Sequence, residues 1–401
     1  MRISTSQIYS GGSSSILDGQ SALYKLQNQL STGKKFLSAK DDPVAAAQVL
    51  LNSQSLAITS QYADNQATAS DQLGLEEDRL QSIVDSVMYI KEQVVAGNNS
   101  SYSDSQRESI AEDLQSQLDF LLGVANSTDA NGYYLFSGYQ GTTKPFQQLA
   151  DGTVQYVGDD GQRLMQVGST QQIAVSDSGS DVFQNILTGN GTFAVGAASG
   201  NTGTGVVDTS SVLDLSAWSG DNYEIAFTSA TDYTVTDTTT STVIGSYTYS
   251  SGSEITAIDG ISLSIEGEPA AGDTFTVEPS TNQSIFTTLQ NLITAFSTDV
   301  SGNETAAASV RNIIAAESAN LGRALENVSS VEASIGSRRS ELTSLTSVSE
   351  ALVLQYKDRI SNLQDIDYAE TISAFIQQQT QLEAAQSSFA TISGLSLFNY
   401  L

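Results

Sequence analysis

Only four prolines occur in 401 residues, at Pro43, Pro145, Pro269 and Pro279, and they divide the chain into parts of different character. Residues 44–144 and 280–401 hold none. A helix can run through either stretch without the missing N–H and ring clash that proline brings. Heptad patterning fills both. Leu73, Leu80, Val87 and Val94 recur every seven residues, with Ile83 and Ile90 three positions along. That is an a/d seam. After the breaker GNNSSYSDSQ (97–106), a third helical pattern carries Ile110, Leu114, Leu118, Leu121 and Ala125. Toward the other end, Val328, Val331, Ile335, Leu342, Leu345, Leu352, Tyr356 and Leu363 keep a 3-4 spacing, interrupted by Arg338, Ser349 and Arg359. The two patterns together predict a rod seam of Leu73, Leu80, Val87, Val94, Val328, Val331, Ile335, Leu342, Leu345 and Leu352. For most of these positions the core of a helical bundle is the plainest role.

The outermost segments carry stripes of their own. Ile16, Leu23, Leu26 and Leu30 form one before Asp41-Asp42-Pro43, which reads as an N-cap followed by proline at the first helical position. Ile372, Phe375, Ile376, Leu382, Phe389 and Ile392 form another, and Leu395, Leu397 and Phe398 carry it to the last residues. Short helices of this kind need a partner to bury their apolar face. These thirteen residues are therefore the candidate assembly interface.

The middle of the chain differs. No Lys or Arg lies between Arg163 and Arg311, while residues 164–310 hold 16 acidic residues. Alternating runs appear at Tyr223-Ile225-Phe227, Tyr233-Val235, Tyr247-Tyr249, Ile261-Leu263-Ile265 and Phe275-Val277, separated by Gly, Asp, Thr and Ser. This is the pattern of an antiparallel β domain. Residues 176–210, rich in Gly, Ser, Thr and Asn, read as loop. The expected fold is mainly α with an inserted all-β domain: an elongated helical coiled-coil bundle built from both termini, carrying an antiparallel β-rich outer domain. A chain whose ends return to one bundle is built to assemble rather than to catalyse.

Composition narrows the function classes. The net charge is −29. It repels phosphate backbones and anionic headgroups, so neither nucleic acid nor membrane is an expected partner. There is no His and no Cys, which removes Ser-His-Asp and Cys-His catalysis, disulfides and the usual zinc ligands. Carboxylate-only chemistry remains. Glu76-Glu77-Asp78 sits on a helix and reads as solvent-facing; Glu266 and Glu268 share one strand face and read as hairpin surface. Asp151-Gly152 and Asp159-Asp160-Gly161 read as turn corners rather than calcium ligands, which need more oxygens at closer spacing. No catalytic residue, metal or cofactor is expected. The opening MRISTSQIYSGGSSS lacks the apolar core of a signal peptide, and no run approaches a membrane span. Heavy use of Ser, Thr, Gly and Asn nevertheless suits a secreted surface protein, so an uncleaved export route is expected.

Four strings carry a family resemblance. RISTSQIYSGGSSSILDGQSALYKLQNQLSTGKKFLSAKDDPVAAAQVL (2–50), ANSTDANGYYLFSGYQGTTKPF (125–146), VSSVEASIGSRRSEL (328–342) and ISGLSLFNYL (392–401) resemble the flagellin superfamily, in this order and on this helix–insert–helix layout. Asp42-Pro43-Val44, the LFSG segment and the Phe398-Asn399-Tyr400 ending are more similar to the hook-associated protein 3 family than to flagellin. GEPAAGDTFTVEPS (267–280) resembles a turn-and-strand element shared by hook-associated proteins; the rest of 147–266 resembles nothing nameable.

The resemblance implies a structural part of the bacterial flagellum, outside the cell at the hook–filament junction. It implies an inner D0-like domain (1–42 with 360–401), mobile in the free monomer, a D1-like rod (43–144 with 280–359) and a D2-like insert (145–279). Implied partners are further copies in a ring, hook-associated protein 1, flagellin, and a cytosolic export chaperone on the C-terminal helix. The tube contacts then lie in the helices, so truncation between about 147 and 278 is expected to spare assembly. Arg338 and Arg359 either pair with acidic neighbours to fix register or stay solvated. Two other classes compete: flagellin itself, and a secreted carboxylate-dependent glycan hydrolase, for which one Trp and no convergent acid pair offer little.

Overall fold

The computed structural model describes residues 5–99 and 102–394. Two helices open the chain, α1 (Thr5–Thr32) and α2 (Pro43–Gly97), followed by α3 (Asp104–Ala125). Then come short elements: β1 (Phe146–Gln148), β2 (Val154–Tyr156), β3 (Leu164–Gln166), β4 (Gln172–Ala174), α4 (Gly179–Phe183) and β5 (Ile186–Leu187). The main strands are β6 (Phe193–Ala197), β7 (Val206–Val212), β8 (Tyr223–Phe227), β9 (Asp232–Asp237), β10 (Thr242–Thr248), β11 (Glu254–Ile255), β12 (Ile261–Glu266) and β13 (Thr274–Pro279). After β14 (Asn282–Gln283) the chain closes with α5 (Ile285–Phe296), α6 (Glu304–Gln364) and α7 (Tyr368–Gly394). The chain is mainly α with an inserted antiparallel β region. It divides into two compact units, Met1–Asp64 with Ser344–Leu401, and Asn65–Thr343.

The helix starts follow their local chemistry. Asp42 accepts the Ala45 N–H at 2.9 Å, and α2 begins at Pro43, where no N–H is needed. Ser103 opens α3 with a reciprocal capping box to Gln106. Ser284 caps α5 through the Thr287 N–H at 3.0 Å. At the other end of α5, Arg107 of α3 donates to the Ala295 carbonyl at 2.7 Å, meeting the exposed carbonyls and negative pole of that helix.

In the second unit two sheets share one core. A five-stranded antiparallel sheet runs β10-β9-β8-β13-β6, and a three-stranded one runs β11-β12-β7. Ile225, Phe227, Val235, Phe275 and Val277 of the first are buried with Ile261, Leu263 and Ile265 of the second. Strand β12 is buried on both faces. Its apolar residues enter the core, while Ser262 and Ser264 pair their hydroxyls with Ser211 and Thr209 of β7 at 2.9 and 2.7 Å. The region 176–210, expected as loop, instead holds α4, β5, β6 and the start of β7. Its composition hides β6, whose small residues become a strand by pairing with β13.

The resemblance-bearing strings turn out to be packing centres. Phe136 of the LFSG segment meets Phe183 at 5.3 Å between ring centres, and Phe146 of the PF pair meets Phe183 and Phe286 at 5.1 and 5.3 Å. Gly138 has φ of 68°. A Cβ there would lie 2.3 Å from the Asp159 carbonyl oxygen. Both facts require glycine. In GEPAAGDTF, Asp273 is buried and accepts three backbone N–H groups, from Thr202 at 2.7 Å, Gly203 at 3.0 Å and Ala270 at 2.9 Å.

Asp273→Ala strands those three donors and is expected to lower stability by roughly 3 kcal/mol. The single tryptophan, Trp218, packs on Phe193 and Tyr223, with ring centres 5.6 Å from each, and reports on this core. Its fluorescence should show a lower urea midpoint in the variant. An unchanged midpoint would remove the structural role of the carboxylate.

Candidate functional site

Two regions gather the side chains of interest: the pairing of α1 with α7, and the joint between the long helices and the inserted segment. In the first unit, α1 and α7 run antiparallel in a sevenfold register. A Cβ on Gly12 would come 2.6 Å from the Phe389 ring, and one on Gly19 would come 3.2 Å from Leu382. Tyr9 meets the same Phe389 ring edge-on at 5.6 Å. The register then sets Leu26 opposite Phe375. Glycine inside a helix costs about 1 kcal/mol. Here it lets large apolar side chains of α7 lie against the α1 backbone. Ile16, Leu23, Leu26, Leu30, Phe375, Leu382 and Phe389 are half-buried, whereas Ile372, Ile376 and Ile392 remain exposed. Leu395, Leu397 and Phe398 lie outside the described residues. Leu17 and Tyr24 add to the exposed apolar surface of α1.

The turn Gly33–Asp42 is tied to the α6–α7 break. Lys35 donates its N–H to Gln364 at 2.6 Å, and Ile366 donates to Gly33 at 3.0 Å. Of the predicted seam, Leu73, Leu80, Val87, Val94, Val328, Ile335 and Leu342 are buried, Val331 and Leu345 half-buried, and Leu352 exposed.

In the second unit, one face of α6 holds the inserted segment by its backbone. Thr305 donates to the Thr202 carbonyl at 2.8 Å. Asn312 accepts the Val207 N–H and donates to Gly205, both at 2.9 Å. Asn320 accepts the Gly189 N–H at 2.8 Å, and Asn327 donates to Asp181 at 2.7 Å. From α2, Asn65 and Gln66 donate to the carbonyls of Gln166 and Val167, both at 2.7 Å. Glu317 is buried and takes Asn291, Gln283 and Asn320 amides at 2.5, 2.7 and 2.8 Å. Sequence reasoning missed this set. Its signal is amides at 312, 320 and 327, seven or eight apart on a helix otherwise rich in Ala and Ser.

Glu76 corrects an expectation. It is buried, not solvent-facing, because it occupies the seam position three after Leu73. One oxygen accepts the Asp177 N–H at 2.9 Å and the other has no partner. Arg338 is paired rather than solvated. Its guanidinium binds the Asp177 carboxylate, with the two side chains only 14% and 8% exposed, and donates to the Ala174 carbonyl at 3.1 Å. Arg339 pairs with Glu77, while Arg359 is exposed. Asp151 and Asp159 accept from N–H groups of their own turns and Asp160 from the Ser180 hydroxyl of α4, and no metal-holding group of carboxylates occurs among the described residues. Truncation from 147 would thus remove the partners of Glu76 and Arg338. A shorter cut, residues 198–272, would keep both.

Burial first, and then the Asp177 carboxylate, push the Glu76 carboxyl up to about 8, against the opposing pull of the Asp177 N–H, Arg338 and Arg163. Between about 4.5, the ordinary value, and 8 the folded chain holds a proton that the unfolded chain has lost. The stabilisation is complete below that window, falls as pH rises through it and is gone above it. Urea unfolding should show this decline, on the order of several kcal/mol. Glu76→Gln should flatten it and stabilise the fold at pH 9. Parallel stability curves for the two proteins would refute it.

Comparisons with known proteins agree with this geometry. Residues 3–141 match the bacterial flagellin N-terminal helical region, residues 319–401 the C-terminal helical region, and residues 197–279 the D2-like domain of flagellar hook-associated protein 1. The last match gives a likeness to much of the insert that the strings left unnamed. Flagellar hook-associated protein 3 of Salmonella typhimurium is 29% identical over 398 residues, 99% of each chain. The crystal structure of FlgL from Xanthomonas campestris is 31% identical, with a TM-score of 0.72 over 77% of this chain and 99% of that one. That of the flagellar junction protein FlgL from Legionella pneumophila is 29% identical, with a TM-score of 0.72 over 79% of this chain and 100% of that one. The chain belongs to the flagellar hook-associated protein 3 family.

Proposed function

We propose that the chain is the adapter of the hook–filament junction, a structural component of the flagellum that joins hook-associated protein 1 to the flagellin filament by helix packing. The observation that carries this is the α1–α7 pair. It is specified closely enough to need glycine at Gly12 and to favour a small residue at Gly19, yet it leaves Leu17, Tyr24, Ile372 and Ile376 exposed. Apolar surface of that kind marks a protein contact. Full-length likeness to hook-associated protein 3 supplies the setting.

Segments 1–42 and 360–401 form the inner D0-like domain, ordered when copies assemble into a ring. Residues 43–144 with 280–359 form the D1-like rod, and 145–279 the D2-like insert. No helix among the described residues is long and apolar enough to cross a membrane. The Ser- and Gly-rich N-terminal segment serves as an export signal. A cytosolic chaperone covers the α7 stripe before export; chaperone binding that survives deletion of 360–401 would end that part of the reading. Assembly, not catalysis, is the task these residues serve.

Deleting the gene in the source bacterium should leave hooks without filaments and flagellin shed into the medium. Normal filaments would overturn the assignment. A finer test uses Gly12→Ala, which drives a methyl into Phe389. Incorporation into flagella should fall at least about tenfold, roughly 1.4 kcal/mol, with the Trp218 unfolding signal unchanged. Phe389→Ala in the same chain should restore part of it.

A further inference from the structure

Cations are scarce in this chain, and four of them stand together. Residues 19–40 carry Lys25, Lys34, Lys35 and Lys40 and no acid, in a protein of net charge −29. Lys34, Lys35 and Lys40 sit on the turn that joins α1 to α2, and all three are exposed. Leu37, at the centre of that turn, is 55% exposed, while Phe36 beside it is buried. The turn has a fixed shape because its backbone is tied to Gln364 and Ile366. Three carboxylates around it are turned onto backbone amides, and Asp365, bridged to Lys34 through the backbone, has no ion pair among the described residues. Asp41 accepts from Leu37 and Ser38, Asp42 from Ala45, and Asp367 from Ala369. Among the described residues no ion pair involves Lys34, Lys35 or Lys40; the Lys35 ammonium reaches the Asn362 carbonyl at 2.8 Å.

The complement lies on α2. Asp71, Asp78, Asp85 and Glu92 recur every seven residues, each two positions before a seam residue, and all four are exposed. That is the position farthest from an a/d seam. The spacing sets successive carboxylates about 10.5 Å apart in one line. Met88 and Val95, 57% and 70% exposed, follow Asp85 and Glu92 by three residues and lie beside that line. Of the two cations adjacent to the stripe in sequence, Arg79 is half-buried and Lys91 holds its ammonium over Gly322 of α6. None of the four carboxylates has an ion pair among the described residues.

We propose that the lysine turn of one copy docks on the acidic α2 stripe of a second copy, with Leu37 against Met88 and Val95. This deepens the ring-forming role above and rests on it. Copies of so acidic a chain repel one another over most of their surface. A contact between them is favoured where the few free ammonium groups meet carboxylates. The two patches differ, so the contact is head-to-tail. Such a contact propagates into a ring or a helix instead of closing as a two-fold pair.

The absence of cysteine makes the test direct. Full-length Leu37→Cys and Met88→Cys chains, each with one thiol, are mixed in low salt and oxidised. The mixed disulfide should exceed both same-variant dimers by about tenfold. It should weaken at high salt and be lost with Lys34→Glu/Lys40→Glu in the Leu37→Cys chain. It should return when the Met88→Cys chain carries Asp85→Lys/Glu92→Lys. No mixed dimer, same-variant dimers in equal yield, or indifference to charge reversal overturns the proposal. Binding of the lysine turn to another flagellar protein in place of the mixed dimer overturns it as well. The deletion phenotype reports on the junction role separately: a deletion strain with normal filaments sinks that role even where the cross-link forms.

Discussion

The second unit turns on one buried contact between charges. Arg338 of α6 grips Asp177 of the inserted segment, and the N–H of Asp177 rests on Glu76 of α2. Three parts of the chain, far apart in sequence, meet at these residues. A buried pair is not a large source of net stability, but removing one partner leaves the other charge uncompensated. The contact therefore fixes which segments meet more than how strongly they hold. The Glu76 proton belongs to the same economy: two carboxylates and one guanidinium are satisfied with a single negative charge.

Around that contact the attachment is neutral, and composition explains why. With no Lys or Arg from 164 to 310, the insert has a single cation, Arg163, to offer the helices. Its backbone is held by amides instead: Asn65, Gln66, Asn312, Asn320 and Asn327. Amides donate and accept at once, so they match backbone groups without adding charge. The insert thus stays acidic and soluble outside while its inner edge is pinned. The terminal pair solves a different problem with different means. Gly12 and Gly19 let apolar side chains of α7 approach the α1 backbone, while other apolar residues of the pair stay exposed.

Much of this was legible in the sequence, for physical reasons that differ by region. Heptad spacing located Leu73, Leu80, Val87 and Val94 because a seam repeats and needs no tertiary knowledge. Alternation located β8 and β13 because each has a buried and a half-exposed face. Glu76 was misread because a run of three acids looks solvated. Its place in the Ile83 and Ile90 register, seven residues earlier, was the better guide. Arg338 likewise stands three residues after Ile335, in the seam. Strand β6 was hidden because pairing, not composition, makes it a strand. The amide face of α6 was invisible because its partners are backbone groups, which leave no mark in sequence.

Native-state hydrogen exchange on the full-length chain would decide whether the buried contact makes these parts one body. If it does, amides of 163–192 exchange in a single cooperative opening with those of 73–94 and 310–342. Arg338→Ala should then lower protection across all three together. If the 163–192 amides exchange fast and independently, with the helices unaffected by the substitution, the Arg338–Asp177–Glu76 contact is an ornament of the surface and the insert is merely tethered.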